Sequence, residues 1–307
     1  MATTTIPLFP ALERASVPRK ISPTDISQFI RLDQCERYLR LRLHERAAGQ
    51  KFLYDYGVAP QSIPPILTQS GAEFEEAIED AVRTAATMTS CKVAAAPGAR
   101  KSDNALVIAR ARALGPEAVE FLFQPRLEVD LDGWAVRGDV DIIRLERDTA
   151  GELHVIIADM KSSISAKLEH RLQVGFYHEM LDRLFQSAGM PTVDIRTAIL
   201  YRGPEGAGDP AQRALAQQLF HTDGALLELV PSPEDYRDSV RDLVTGQASV
   251  ANRVAGVPFD DLTFHLSFKC DGCLYNAFCM KWSAERDDLS VLPHLEKYWY
   301  RRWKTGR

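Results

Sequence analysis

The sequence lacks a long apolar run and an excess of basic charge, and no secretion leader is expected from its start. No stretch reaches the roughly 20 apolar residues of a membrane helix, and the polar start MATTTIPLFPALERASVPRK has no signal-peptide core. A cytoplasmic protein without membrane contact is therefore expected. Its 37 Lys and Arg stand against 42 Asp and Glu, a formal net charge of −5. That balance excludes an architectural nucleic-acid binder with a global basic field, and leaves room for local basic contacts around an acidic site. Internal repeats and low-complexity tracts are missing too. Cysteine is scarce, five in 307 residues, and without a leader it points to thiol or metal chemistry more than to disulfides. Cys270, Cys273 and Cys279 crowd near the C-terminus, while Cys35 and Cys91 stand apart. A buried, incidental thiol is expected at Cys91.

What is present is ordinary globular material, 45% hydrophobic and 26% charged, with length enough for a large core. Residues 1–20 read as a flexible tail. Ser22 to Asp25 offers a helix start, with Ile26, Phe29 and Ile30 as its apolar face. A second helical run spans Glu36 to Leu43; its Arg37, Arg40 and Arg42 fit either a solvated face or contacts to phosphates. Pro60, Pro64 and Pro65 punctuate a loop. Gly71 to Met88 then reads as a helix, with Phe74, Ile78, Val82 and Ala85 on one face and Glu73, Glu75, Glu76, Glu79 and Asp80 on the others. Residues 89–105 read as a loop.

Three strands are expected next. Val119 to Val129 turns at Asp130–Gly133 into Trp134 to Leu145, and Leu153 to Met160 follows. Ala166 to Ser187 reads as a helix, Val193 to Tyr201 as a further strand, and residues 208–256 as helices. The order helix, three strands, helix, strand predicts an α/β sandwich around a mixed sheet.

The informative stretch runs from Gly138 to Tyr177. Gly138 and Asp141 form Gly-x-x-Asp, Asp159 and Lys161 form Asp-x-Lys at a strand end, and Gln173 and Tyr177 lie four apart on one helix face. Adjacent strands can set Asp141 beside Asp159. Hydrolysing a phosphodiester requires charge neutralisation and an activated water, and a hard cation on carboxylates supplies both. Asp141 and Asp159 are the expected ligands, with Glu75 as a third and the Met160 carbonyl as a backbone donor. Lys161 would orient or help deprotonate the attacking water and offset developing charge. Gln173 and Tyr177 would position it or hydrogen-bond the nucleic-acid backbone. Asp139 shares the face of Asp141 and reads as solvated, and His170 is a possible substrate contact on a helix surface. Each motif alone is common; their joint order is specific.

This set resembles the RecB-type branch of the PD-(D/E)XK nucleases. The family pattern of a Gly-preceded His or Glu on a helix, Gly-x-x-Asp, Asp/Glu-x-Lys and Gln-x-x-x-Tyr is met by Gly71 and Glu75, Gly138 and Asp141, Asp159 and Lys161, and Gln173 and Tyr177. Glu75 stands where many members carry His. The cysteines extend the resemblance to the iron–sulfur subclass, which includes CRISPR-associated RecB-like nucleases, the AddB nuclease domain and nuclease domains fused to helicases. There an N-terminal cysteine, here Cys35, joins a C-terminal trio, here Cys270, Cys273 and Cys279, around a [4Fe–4S] cluster. Spacing alone admits Zn²⁺ as well.

The resemblance implies a nuclease domain over residues 21–283 with a helical insertion and a cluster joining its N- and C-terminal segments. Residues 284–307 would be a connector to a further domain. It also implies Mg²⁺ or Mn²⁺ as cofactor, DNA (preferably single-stranded ends or flaps) as substrate, exonucleolytic cleavage, and a helicase or a CRISPR or defence protein as partner. Two rivals are a DNA-end binding module with weak or regulated cleavage, and a zinc protein acting on RNA.

Overall fold

The computed structural model describes residues 19–48, 52–55, 58, 65–92, 100–190, 193–204, 208–262 and 264–291. Most of the tail expected over residues 1–20, the loop at Pro60 and Pro64, and the connector beyond residue 291 lie outside them. Along the chain run helices α1 (Pro23–Arg31), α2 (Glu36–Ala48) and α3 (Pro65–Ala85), then strand β1 (Thr87–Ser90) and helix α4 (Asn104–Ala113). Strands β2 (Val119–Phe123), β3 (Arg126–Leu131), β4 (Trp134–Asp139), β5 (Ile142–Arg147) and β6 (Leu153–Lys161) come next. After them follow α5 (Leu168–Ser187), β7 (Asp194–Tyr201), α6 (Pro210–Phe220), β8 (Leu226–Leu229), α7 (Pro233–Val244), α8 (Val250–Gly256) and α9 (Asn276–Ala284). The chain divides into two compact units: residues 22–27 with 63–242, and residues 1–21, 28–62 and 243–307.

The larger unit is built on a six-stranded mixed sheet in the order β1-β2-β5-β6-β7-β8. The expected order of helix, strands, helix and strand is present, with β6 and β7 parallel and joined through α5. Strand alternation decides what each face meets. Ile156, Ala158 and Met160 of β6 and Ala198 and Leu200 of β7 pack with Phe74, Ile78 and Val82 of α3 and with Phe220 of α6. Ile199 and Tyr201 face the other way, with Val174 of α5. Asp159 and Lys161, out of phase with Met160, therefore share the side of α5.

Four expectations change. Helix α3 starts at Pro65, six residues before Gly71, because proline's fixed φ and missing N–H suit a first turn. The stretch read as a loop after Met88 contributes β1, parallel to β2, and later α4. Residues 226–229, read as helical, form the edge strand β8, antiparallel to β7. Finally, the two long strands of the expected hairpin are each broken. Pro125 has no N–H for a ladder, and Gln124 enters the left-handed region at φ 50°. The outer halves β3 and β4 remain a hairpin, closed by Asp132 and Gly133 at positive φ, while β2 and β5 pair within the main sheet. The break places Asp141 between β4 and β5, next to the end of β6.

The smaller unit brings α2 together with α8, α9 and the turn Phe268–Gly272. Arg37 and Arg40, considered above as phosphate contacts, are only 1% and 2% exposed. Arg40 donates to the carbonyls of Val254, Ala255 and Val257 at 2.6, 2.8 and 3.0 Å, satisfying the C-terminal end of α8. Arg37 donates to Ser283 Oγ at 2.9 Å and lies 4.5 Å from the Phe264 ring centroid. Both guanidiniums serve the interior of this unit, which departs from both readings above, the solvated face and the phosphate contact.

Candidate active site and metal centre

Sheet register brings the two motif aspartates together. Ile142 pairs with Ala158, so Asp141, one residue earlier, comes level with the end of β6. Its Oδ2 accepts the Met160 N–H at 2.7 Å. Asp159 is fully buried; its Oδ2 lies 2.7 Å from Lys161 Nζ, and its Oδ1 accepts from Gln173 Nε2 at 3.0 Å. Gln173 also reaches the Tyr177 hydroxyl at 3.4 Å, and that hydroxyl donates to the Asp139 carbonyl at 2.8 Å. One chain of contacts thus ties the Asp-x-Lys strand, helix α5 and the Gly-x-x-Asp segment.

Gly138 has a steric reason to be glycine. A Cβ there would lie 2.6 Å from Tyr177 Cε1 and 3.0 Å from the Pro23 ring. The Asp139 carboxylate is held by Arg126 through two 2.7 Å bonds and is partly exposed, in keeping with its reading as a solvated group.

Electrostatics couple the same residues. Burial drives the Asp159 carboxyl up to about 7, against the pull of Lys161 and with reinforcement from Asp141. Burial disfavours the Lys161 charge, yet Asp159, Asp141 and Glu75 outweigh it and hold the ammonium above its usual range. Glu75 on α3 is raised by burial and then by Asp141, and Lys161 also acts on it. Tyr177 is pushed well up by burial and by both aspartates. Register and hydrogen bonds therefore gather Asp141, Asp159, Lys161, Gln173 and Tyr177, with Met160 between Asp159 and Lys161, and Glu75 stands near enough for the charges of Asp141 and Lys161 to act on it.

This donor set suits a hard divalent cation, since every side-chain donor is a carboxylate. Asp159 Oδ2 is buried, with the Lys161 ammonium 2.7 Å away as its compensating charge and the Asp141 carboxyl opposing it. Positive charge added there would relieve the cost that burial imposes on the carboxylate. His170 acts locally, its Nδ1 accepting the Lys167 N–H at 3.3 Å at the start of α5. Burial, with Lys161 next, pushes its imidazole down to about 4, so it is neutral.

The sequence pattern gave no place to Gln124. Its Nε2 donates to Glu75 Oε2 at 3.2 Å and its backbone N–H to the Asp141 carbonyl at 2.9 Å. The available signal was Pro125, a residue that interrupts a strand. A second acidic group, Asp148, Glu152 and His154, has ligand atoms within 4.8 Å of one another and could also hold a cation. It lies at the opposite end of β6 from Lys161, with His154 between Asp148 and Asp194.

In the smaller unit Cys35, Cys270, Cys273 and Cys279 are free thiols lining one cavity of about 30 Å³. Backbone N–H groups of Ser267 and Tyr275 point at the sulfurs of Cys270 and Cys273, at 3.4 and 3.5 Å. Burial, then lesser effects that include the neighbouring thiols, pushes Cys273 up to about 12 and Cys279 well above its usual range. A group of soft thiols whose anionic forms need compensation fits a metal or cluster. Cys91 is buried, separate from the four.

Among curated proteins none matches this sequence. A solved structure described as "Crystal structure of SSO0001" is 12% identical, covers 88% of this chain and 89% of that one, and superposes with a TM-score of 0.29. The profile of the PD-(D/E)XK nuclease superfamily matches residues 69–280, more than half of the chain. That span begins in α3 and contains Glu75, Asp141, Asp159, Lys161, Gln173 and Tyr177, so the chain belongs to the PD-(D/E)XK nuclease superfamily.

Proposed function

We propose that this protein is a Mg²⁺- or Mn²⁺-dependent DNA nuclease acting on single-stranded ends or flaps. The observation that carries the reading is the buried Asp159 carboxylate, flanked by Lys161 at 2.7 Å and close to Asp141, inside a superfamily of nucleases. Glu75, Asp141, Asp159 and the Met160 carbonyl would hold the cation. When bound, it supplies Lewis-acid neutralisation of the phosphate and a more acidic water.

The protein's own groups divide the work. Lys161 is held protonated by three carboxylates, which suits it to orienting the water and stabilising developing negative charge more than to removing a proton. Gln173 fixes Asp159 through its amide, and Tyr177 fixes Gln173 against the Asp139 backbone. The preference for strand ends rests on the RecB-like resemblance of the four motifs.

The same reading assigns a [4Fe–4S] cluster to Cys35, Cys270, Cys273 and Cys279. Their shared cavity and free thiols support a bound group, and the choice of iron over zinc rests on the RecB-like resemblance. The cluster would tie α2 to the segment 264–284 within the smaller unit. A brown protein with thiolate–iron absorbance would support iron; a colourless protein with one zinc per chain would remove it.

The substrate is tested by incubating anaerobically purified protein with end-labelled linear and with circular DNA, single- and double-stranded, with Mg²⁺, Mn²⁺ or EDTA. Metal-dependent loss of linear single strands is expected, and the label pattern gives polarity. Equal cleavage of circles would refute the end requirement.

A further inference from the structure

Gln124 occupies a position where its fold would accept glycine. Its φ of 50° is in the left-handed region, which residues other than Gly, Asn, Asp and His enter uncommonly. Three contacts fix it there. Its N–H donates to the Asp141 carbonyl at 2.9 Å, its carbonyl accepts from Arg100, and its side-chain Nε2 donates to Glu75 Oε2 at 3.2 Å. On the next residue, the Pro125 carbonyl accepts the Val140 N–H at 3.0 Å. The strand break is therefore bridged on both sides, and the bridge carries one side chain toward a carboxylate of the site.

We propose that Gln124 is a positioning residue of the metal centre, holding Glu75 by its amide and Asp141 by its backbone. This rests on the reading of Glu75, Asp141 and Asp159 as cation ligands. The residue type follows from the chemistry. Glu75 comes from α3 and Asp141 from the β4–β5 break, so no single element sets their separation. A ligand carboxylate needs a donor on the oxygen that does not face the cation, to fix its orientation. Arginine or lysine at 124 would add a positive charge competing with the cation, and Asp or Glu would add repulsion beside Glu75. A neutral amide avoids both. Its geometry also explains why a strained backbone is kept when glycine would relax it.

Three variants separate the side chain from the backbone. Gln124→Gly keeps the N–H and suits the positive φ, so it removes the side chain and leaves the backbone contacts. Gln124→Leu keeps the bulk, and Gln124→Asn keeps an amide one methylene shorter. Mn²⁺ binding is titrated on DNA-free protein by the resonance of free Mn²⁺, beside thermal unfolding and the Mn²⁺ dependence of cleavage. Gln124→Gly and Gln124→Leu are expected to weaken Mn²⁺ binding roughly tenfold, with maximal cleavage at saturating Mn²⁺ largely recovered and Gln124→Asn in between. A Gln124→Gly protein that binds Mn²⁺ like the parent would overturn the proposal and leave the metal centre standing. Weakening matched by an equal loss of folding stability would also overturn it, since the role would then be structural. A parent protein that binds no Mn²⁺ would sink the metal centre first, and this proposal with it.

Discussion

The Gly138→Ala substitution tests the contact that joins two of the motifs. The added methyl carbon would sit 2.6 Å from Tyr177 Cε1 and 3.0 Å from Pro23, against an ordinary van der Waals contact of about 3.5–4.0 Å. Something must move by about 1 Å. Tyr177 is fully buried and its hydroxyl is bound to the carbonyl of residue 139, immediately after the substitution, so the ring has little room to yield. Overpacking of this kind costs about 1–3 kcal/mol. In a unit of this size each kcal/mol lowers Tm by about 2–4 °C, so a fall of about 2–12 °C is expected. Displacement of Tyr177 also loosens Gln173 from Asp159, and cleavage should fall by more than stability alone explains. Thermal unfolding of Gly138→Ala, Tyr177→Leu and the double variant supplies the coupling energy, and the smaller side chain should restore part of the loss. Strict additivity, or a Gly138→Ala protein as stable as the parent, would refute the assigned contact.

Three further outcomes are expected. Replacing Arg40 with Met leaves the Val254, Ala255 and Val257 carbonyls without their donor and should destabilise the protein by about 2–4 kcal/mol; the salt dependence of DNA binding should not change, and a reduced slope would return Arg40 to the phosphates. Cys273→Ala should lose the bound metal and lower Tm; unchanged iron and zinc content with unchanged Tm would remove Cys273 from the cluster. Asp159 titrates near 7 in the fold and near 4 when unfolded, so the unfolded chain releases its proton first. Metal-free stability should therefore fall as pH rises from about 4 to 7, by at most about 1.4 kcal/mol per pH unit from this group. Asp159→Asn should flatten that part of the curve, and a slope that persists unchanged would place the burden on another residue.

How far the sequence reaches depends on whether the signal is local. The β6–α5–β7 unit was legible because an apolar strand, a long helix and a second apolar strand follow one another, and Asp159, Lys161, Gln173 and Tyr177 keep fixed positions on them. Burial of Gly138 against Tyr177 could not be read from spacing, since it depends on how α5 crosses the hairpin. The broken hairpin was half legible: Pro125 interrupts a strand, but the left-handed Gln124 before it carries no signal of its own. Strand β8 is four residues among helices, and its Leu226 and Leu227 bury against β7 only after the sheet exists. Arg37 and Arg40 misled for a similar reason. Arginines on a helix usually face water, and the carbonyls that satisfy Arg40 come from more than 200 residues away. The four cysteines were grouped by resemblance to a family; their shared cavity is a property of the fold.

The measurement that tests the central claim most directly is single-turnover cleavage of end-labelled DNA by the parent protein and by Lys161→Ala, each with Mn²⁺ and with EDTA. Lys161 is part exposed and lies outside the cysteine cavity, so both proteins should fold and carry the same metal content. The account predicts cleavage by the parent only with Mn²⁺, reduced at least about a hundredfold in the variant. Cleavage that survives Lys161→Ala, or that proceeds in EDTA, would contradict it and move the chemistry away from Asp141, Asp159 and Lys161.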